Sequence, residues 1–168
     1  MRIQIGVIGA SNLPEEKAKL AEELGKEIAK NKLILMTGTA EGIPGLAAKG
    51  AKEEGGLTVA IIFKNFTEEE LKPFDVVVFT GLSRGFDILI KATNGIIAFG
   101  GGTGTLREIA LTYKEGKPII ILKGGGGWAD KLVDTSLEQG GPIIYGAKTP
   151  KEAVIKLLKL ISEKSAQY

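Results

Sequence analysis

One stretch, NGIIAFGGGTGTLRE from Asn94 to Glu108, constrains the fold more than any other. A short apolar run, Ile96-Ile97-Ala98-Phe99, enters three glycines, Gly100, Gly101 and Gly102. The chain then passes through Thr103-Gly104-Thr105 to Glu108, where a helical pattern begins. A buried strand feeding a bare-backbone loop and a helix start is the local plan of an anion site. The first N–H groups of a helix have no intrahelical partner, and the helix dipole adds partial positive charge there. Glycine lets a phosphate approach the backbone where a Cβ would stand in the way.

The rest of the chain repeats the strand-then-helix plan. Arg2 to Ile8 reads as a strand that turns at Gly9-Ala10-Ser11, and Pro14 with Glu15-Glu16 opens a helix to about Lys30. Leu33 to Met36 is a second strand, followed by Thr37-Gly38-Thr39-Ala40, a short helix from Leu46 to Glu54, and a strand from Thr58 to Phe63. Lys64 to Pro73 is polar, and Val76 to Phe79 is apolar again. Ser83 is placed to cap a helix reaching about Lys91. After the glycine loop come a helix from about Thr105 to Tyr113, a strand from Pro118 to Leu122, and the loop Gly124 to Gly127 beside Trp128. A short helix near Ala129 to Glu138, a brief Ile143-Ile144 strand and a last helix from Pro150 to about Lys164 complete the chain. Alternating strands and helices, with continuous apolar strands, predict an α/β, Rossmann-like three-layer sandwich with a mainly parallel sheet. The 168 residues read as one domain with no internal repeat. The four glycine-bearing turns all follow strands, so they are expected on one edge, where such folds hold ligands.

Composition narrows the chemistry. The chain has no histidine and no cysteine, which excludes a Ser-His-Asp triad, a thiolate nucleophile, and histidine or cysteine metal sites. Acid–base work falls to carboxylates, lysines or tyrosines. A net charge of +2 argues against a nucleic-acid partner. No apolar run is long enough to span a membrane, no signal peptide is legible, and a cytoplasmic location is expected. The glycine loop lacks G-x-G-x-x-G, and no acid ends the second strand, so NAD is not expected; without G-K-[ST] neither is a P-loop. Thr105 and Glu108 also fit a capping box, a purely structural role. That role leaves three consecutive glycines unexplained. Arg84, at a strand-to-helix turn of a lysine-rich chain, fits a phosphate or carboxylate fork. Arg107 is read as a solvated cation, and Trp128 as capping the core edge in preference to stacking on a base.

GGGTGTLRE resembles the P-G-G-x-G-T-x-x-E signature of the LOG family, the cytokinin-activating phosphoribohydrolases often mislabelled lysine decarboxylases. MTGTAEGIPGLAAKGAKEEGG, GVIGAS and ILKGGGGWADKLVD are similar to other loops of that family, so the resemblance spans nearly the whole chain. It points to an archaeal and bacterial branch of uncharacterised proteins related to molybdenum cofactor carrier proteins and, more remotely, to the DNA-processing DprA/Smf fold. By position the resemblance makes Glu108 and Arg84 the residues associated with catalysis. The glycine-bearing turns and the helix start supply the expected phosphate- or nucleotide-binding residues, Gly9, Ser11, Gly38, Thr39, Gly101, Gly102, Thr103, Gly104 and Thr105. The resemblance also implies a homodimer or higher homo-oligomer. Two departures stand out: Gly100 replaces the signature proline, and Arg84-Gly85 replaces an Arg-Lys pair.

The expected function is binding of a nucleoside 5′-monophosphate or similar phosphorylated ligand at the strand-end loops, with no cofactor and no metal. Two outcomes stay open. One is hydrolysis of the ligand's N-glycosidic bond to base and ribose 5-phosphate; the other is a non-catalytic nucleotide or molybdenum-cofactor carrier. A PLP decarboxylase is not expected, because no lysine is marked as a Schiff-base residue.

Overall fold

The computed structural model describes residues 2–12, 14–81 and 85–166. Seven strands form one sheet: Gln4–Gly9 (β1), Ile34–Thr37 (β2), Leu57–Ile62 (β3), Val76–Phe79 (β4), Gly95–Phe99 (β5), Ile119–Leu122 (β6) and Tyr145–Ala147 (β7). Their order is β4-β3-β2-β1-β5-β6-β7, and every neighbouring pair is parallel. The helices are Glu15–Lys30 (α1), Gly42–Glu53 (α2), Glu68–Leu71 (α3), Gly85–Ala92 (α4), Thr103–Lys114 (α5), Gly127–Lys131 (α6) and Pro150–Ser165 (α7).

Strand side chains alternate faces, and β5 demonstrates how this makes three layers. Ile97 and Phe99 join Leu24 and Ile28 of α1, Ala47 of α2 and Leu157 of α7 in one core. Ile96 and Ala98 join Leu89 and Ile90 of α4, Ile109 of α5 and Ala129 of α6 in the other. All four β5 side chains are fully buried, and each large one contributes about 2 kcal/mol through the area removed from water. The α/β three-layer architecture is therefore the one expected, with a wholly parallel sheet apart from an isolated antiparallel bridge between Thr135 and Ile144.

Several boundaries differ for physical reasons. Ile143-Ile144 is not the last strand; Ile144 is spent on the bridge to Thr135, and pairing with β6 begins at Tyr145. α6 stops at Lys131, well short of Glu138. The polar stretch contains α3, whose Thr67 and Glu70 form a reciprocal capping box. β4 lies at the sheet edge, and its four side chains are 40–57% exposed although they form an unbroken apolar run. The Ser83 cap falls outside the described residues.

The strand order decides where a ligand belongs. From β1 the chain winds outward to β4, then crosses back to pair β5 with β1 and winds the other way to β7. The loops leaving β1 and β5 therefore diverge to opposite faces, opening a crevice beyond the strands' carboxyl ends.

Candidate functional site

A cleft of about 400 Å³ occupies that crevice. The β1 turn contributes Gly9, Ala10 and Ser11, the β2 turn Gly38 and Thr39, and the α5 start Gly102, Thr103, Gly104 and Thr105, with Glu108 one turn further on. The lining also includes residues that the sequence did not mark as site residues: Val7, Ile8 and Ala10 of β1 and its turn, Glu41 and Pro44 at the start of α2, and Phe63 and Lys64 after β3. The two turns meet closely because Gly9 lacks a side chain. A Cβ there would lie 2.3 Å from the Phe99 carbonyl oxygen, to which the Ala10 N–H donates at 3.2 Å.

The glycine loop divides into two jobs. Gly101 has φ +108°, and a Cβ on it would fall 2.0 Å from Thr105 Oγ1, so packing of the loop requires glycine. Gly102 has φ −91°, and a Cβ on either it or Gly104 would meet nothing within 4 Å beyond its adjacent backbone. The protein's own packing does not explain these two, and both line the cleft. Gly101 does not; it faces the late loop, where the Trp128 N–H donates to its carbonyl at 2.9 Å.

α5 begins at Thr103, two residues before the expected start, with Gly102 as N-cap and no side-chain cap. The Thr105–Glu108 capping box is therefore not formed. Thr105 is instead buried, its hydroxyl lying against Gly101. The first helical hydrogen bond runs from the Leu106 N–H to the Gly102 carbonyl at 3.1 Å, which leaves the N–H groups of residues 102–105 without helical partners on the cleft wall.

Glu108 is 8% exposed, and no described residue hydrogen-bonds its carboxyl. Burial pushes that carboxyl up to about 7, against an opposing pull from the Arg107 guanidinium. At the cleft rim, Lys64 Nζ lies 2.8 Å from Glu41 Oε1 and 4.9 Å from the Phe66 ring centroid. The cleft thus combines backbone donors without helical partners, a desolvated carboxyl and a neutralised ion pair.

Other expected participants sit elsewhere. The late glycine loop packs on the same edge without lining the cleft; a Cβ at Gly125 would fall 2.2 Å from Gly100 N and one at Gly127 2.2 Å from the Gly101 carbonyl oxygen. Asp130 Oδ2 holds that loop by accepting from the Gly124 and Gly126 N–H groups, both at 3.0 Å. Trp128 does not cap the core: it is 39% exposed, with Lys131 Nζ 4.8 Å from its ring centroid. Arg84 lies outside the described residues. Among the described residues no group of three acidic side chains could hold a metal ion, and no helix is long and apolar enough to cross a membrane.

A second cavity of about 240 Å³ lies around Tyr113, Lys117, Ile119 and Tyr145, by the amino ends of β6 and β7. Its lysines already have protein partners. Lys117 donates to the Ile90, Lys91 and Thr93 carbonyls at 2.6, 2.9 and 2.6 Å, and Lys164 to the Gly116 carbonyl.

These features define a parallel α/β protein with a ligand-sized cleft at its topological switch point. The chain belongs to the SLOG cluster4 family, LDcluster4, whose model matches residues 2–154, in agreement with the LOG-type resemblance of its loops. An uncharacterised protein of Archaeoglobus fulgidus is 37% identical over 123 residues, covering 72% of this chain and 80% of that one. Among solved structures, the structural-genomics target TM1055 superposes with a TM-score of 0.85 at 28% identity, covering 95% of this chain and 99% of the other. The molybdenum cofactor carrier protein of Chlamydomonas reinhardtii superposes with a TM-score of 0.81 at 32% identity, covering 96% of this chain and 99% of that one.

Proposed function

We propose that the switch-point cleft is a binding site for a small phosphorylated heterocycle, a nucleoside monophosphate or a molybdenum-cofactor-type ligand, which the protein carries without turnover. The observation behind this reading is the uncapped start of α5. Four N–H groups at a positive helix end, without helical partners, line a cleft beside two glycines that the fold does not require. A volume of about 400 Å³ suits a ligand of that size. The similarity to a molybdenum cofactor carrier supports the carrier reading, as do the departures at Gly85 and Gly100 from the hydrolase signature. Calorimetry with AMP, GMP and molybdopterin tests it. Binding by the wild-type protein and its loss in Gly102→Val, with an unchanged melting temperature, is the expected result. No binding of any of the three, or undiminished binding by the variant, refutes it.

One observation favours a second reading. A carboxyl titrating near 7 inside the cleft suits acid–base chemistry at neutral pH. In N-glycosidic hydrolysis of a nucleoside monophosphate, water would add to the ribose anomeric carbon as the bond to the base breaks, and the base would leave protonated. Glu108 would stabilise the oxocarbenium-like charge or move the proton. Release of free base from AMP above a Glu108→Gln control supports this reading, and its absence leaves the carrier.

A further inference from the structure

We propose that the cleft takes up a proton together with its phosphorylated ligand, and that Glu108 carries it, entering the complex as a neutral acid that donates a hydrogen bond to a ligand oxygen. This rests on the reading of the cleft as a phosphate site and adds to it a proton stoichiometry.

The argument starts from placement. Glu108 lies one helical turn beyond Thr105 on α5, so its carboxyl shares the cleft with the N–H groups that would hold the phosphate. It is 8% exposed and receives no hydrogen bond from any described residue, so water and protein both do little to stabilise its anion. A dianionic phosphate nearby adds like-charge repulsion in a weakly screened space, which favours the neutral form further. The neutral acid also supplies a donor, where the carboxylate would supply only acceptors facing an anion. Its position in the free protein, pushed by burial to about 7, leaves the proton available at little cost.

The neighbouring charges do not undo this. The other titratable side chains lining the cleft, Glu41 and Lys64, are 2.8 Å apart and satisfy each other. Of the elements packed on α5, β1, β5 and β6 carry no ionisable side chain. α4 carries Asp87 and Lys91, and α6 carries Asp130 and Lys131. Asp130 is engaged by the late-loop N–H groups, and Lys131 lies over Trp128. Among the described residues, Arg107 alone exerts a resolved charge effect on Glu108, and it is weaker than the effect of burial.

The test is isothermal titration calorimetry of the full chain with AMP, at pH 7 and 8.5, in buffers of different ionisation enthalpy. The phosphate, with a second pKa of about 6, is mostly dianionic at pH 7 and fully so at pH 8.5. The heat should depend on the buffer at pH 8.5 with a slope approaching one proton taken up. Affinity should fall about ten-fold between the two pH values, as linkage requires of a group near 7 that is protonated in the complex. In Glu108→Gln the slope should be near zero. As a second readout, the Glu108 carboxyl carbon resonance should titrate near 7 in the free protein and keep its protonated position at pH 8.5 in the complex. Binding without proton uptake overturns this inference and leaves the phosphate site standing. Uptake that persists in Glu108→Gln overturns it by assigning the proton elsewhere. A complete lack of AMP, GMP and molybdopterin binding overturns both.

Discussion

Replacing Glu108 by glutamine separates the cost of a buried charge from the cost of packing, because the amide matches the carboxyl in shape and carries no charge. In the folded protein the carboxyl titrates near 7, and its ordinary value is 4.5. The raised position means that the folded state holds a proton that the unfolded chain has released, at any pH between these values. Stability therefore falls as pH rises through that window, by about 1.4 kcal/mol per unit. Below 4.5 both states are protonated and nothing is lost; above 7 both are ionised and the penalty is complete, at about 3 kcal/mol. Glu108→Gln escapes it. Urea unfolding should find the variant more stable than wild type by about 3 kcal/mol at pH 8 and by less than about 1 kcal/mol at pH 5. For a chain of this size the pH 8 gain corresponds to a rise in melting temperature of roughly 10 °C. A variant whose gain is the same at both pH values, or absent at pH 8, would refute the claim that burial holds this carboxyl up.

Four further substitutions test individual contacts. Gly101→Ala should destabilise the protein by about 2 kcal/mol or more, because its φ of +108° disfavours a side chain and Thr105 Oγ1 occupies the Cβ position; Gly102→Ala should leave thermal unfolding within about 0.5 kcal/mol of wild type, since its Cβ meets nothing. Lys117→Met keeps the apolar stem but removes an ammonium that satisfies three carbonyls at the end of α4, and should cost about 2 kcal/mol by denaturant titration. Thr149→Ala removes the N-cap of α7, whose hydroxyl accepts from the Glu152 N–H at 3.2 Å, and should cost about 1 kcal/mol in the same assay.

Some of the site was open to reading along the chain, and some was not. The turns after β1, β2 and β5 were legible because glycine, serine and threonine follow directly on apolar runs. The start of α5 was misplaced. Thr105 and Glu108 have capping-box spacing, yet the Thr105 side chain is buried against Gly101 and unavailable as a cap. Glu41 and Lys64 were missed because they stand 23 residues apart, and only the pairing of β2 with β3 brings the following loops together. The late loop carries the most conspicuous run of glycines, but Gly125 and Gly127 serve backbone-to-backbone packing against Gly100 and Gly101. Glycine in a sequence does not say whether the space it leaves is filled by a ligand or by another loop.

By itself the sequence determined the alternation of strands and helices, the parallel sheet that follows from it, and the absence of imidazole and thiol chemistry. Those properties are local: they depend on apolar runs, turn residues and composition. Only the tertiary structure decided the strand order and the crevice between β1 and β5. It also decided which glycines face open space, and that the carboxyl in the loop signature is desolvated and without a hydrogen-bond partner among the described residues. Each of these depends on contacts between residues far apart in the chain. Solvent exclusion around Glu108 in particular is a property of every element that closes over it, and no spacing along one helix encodes it.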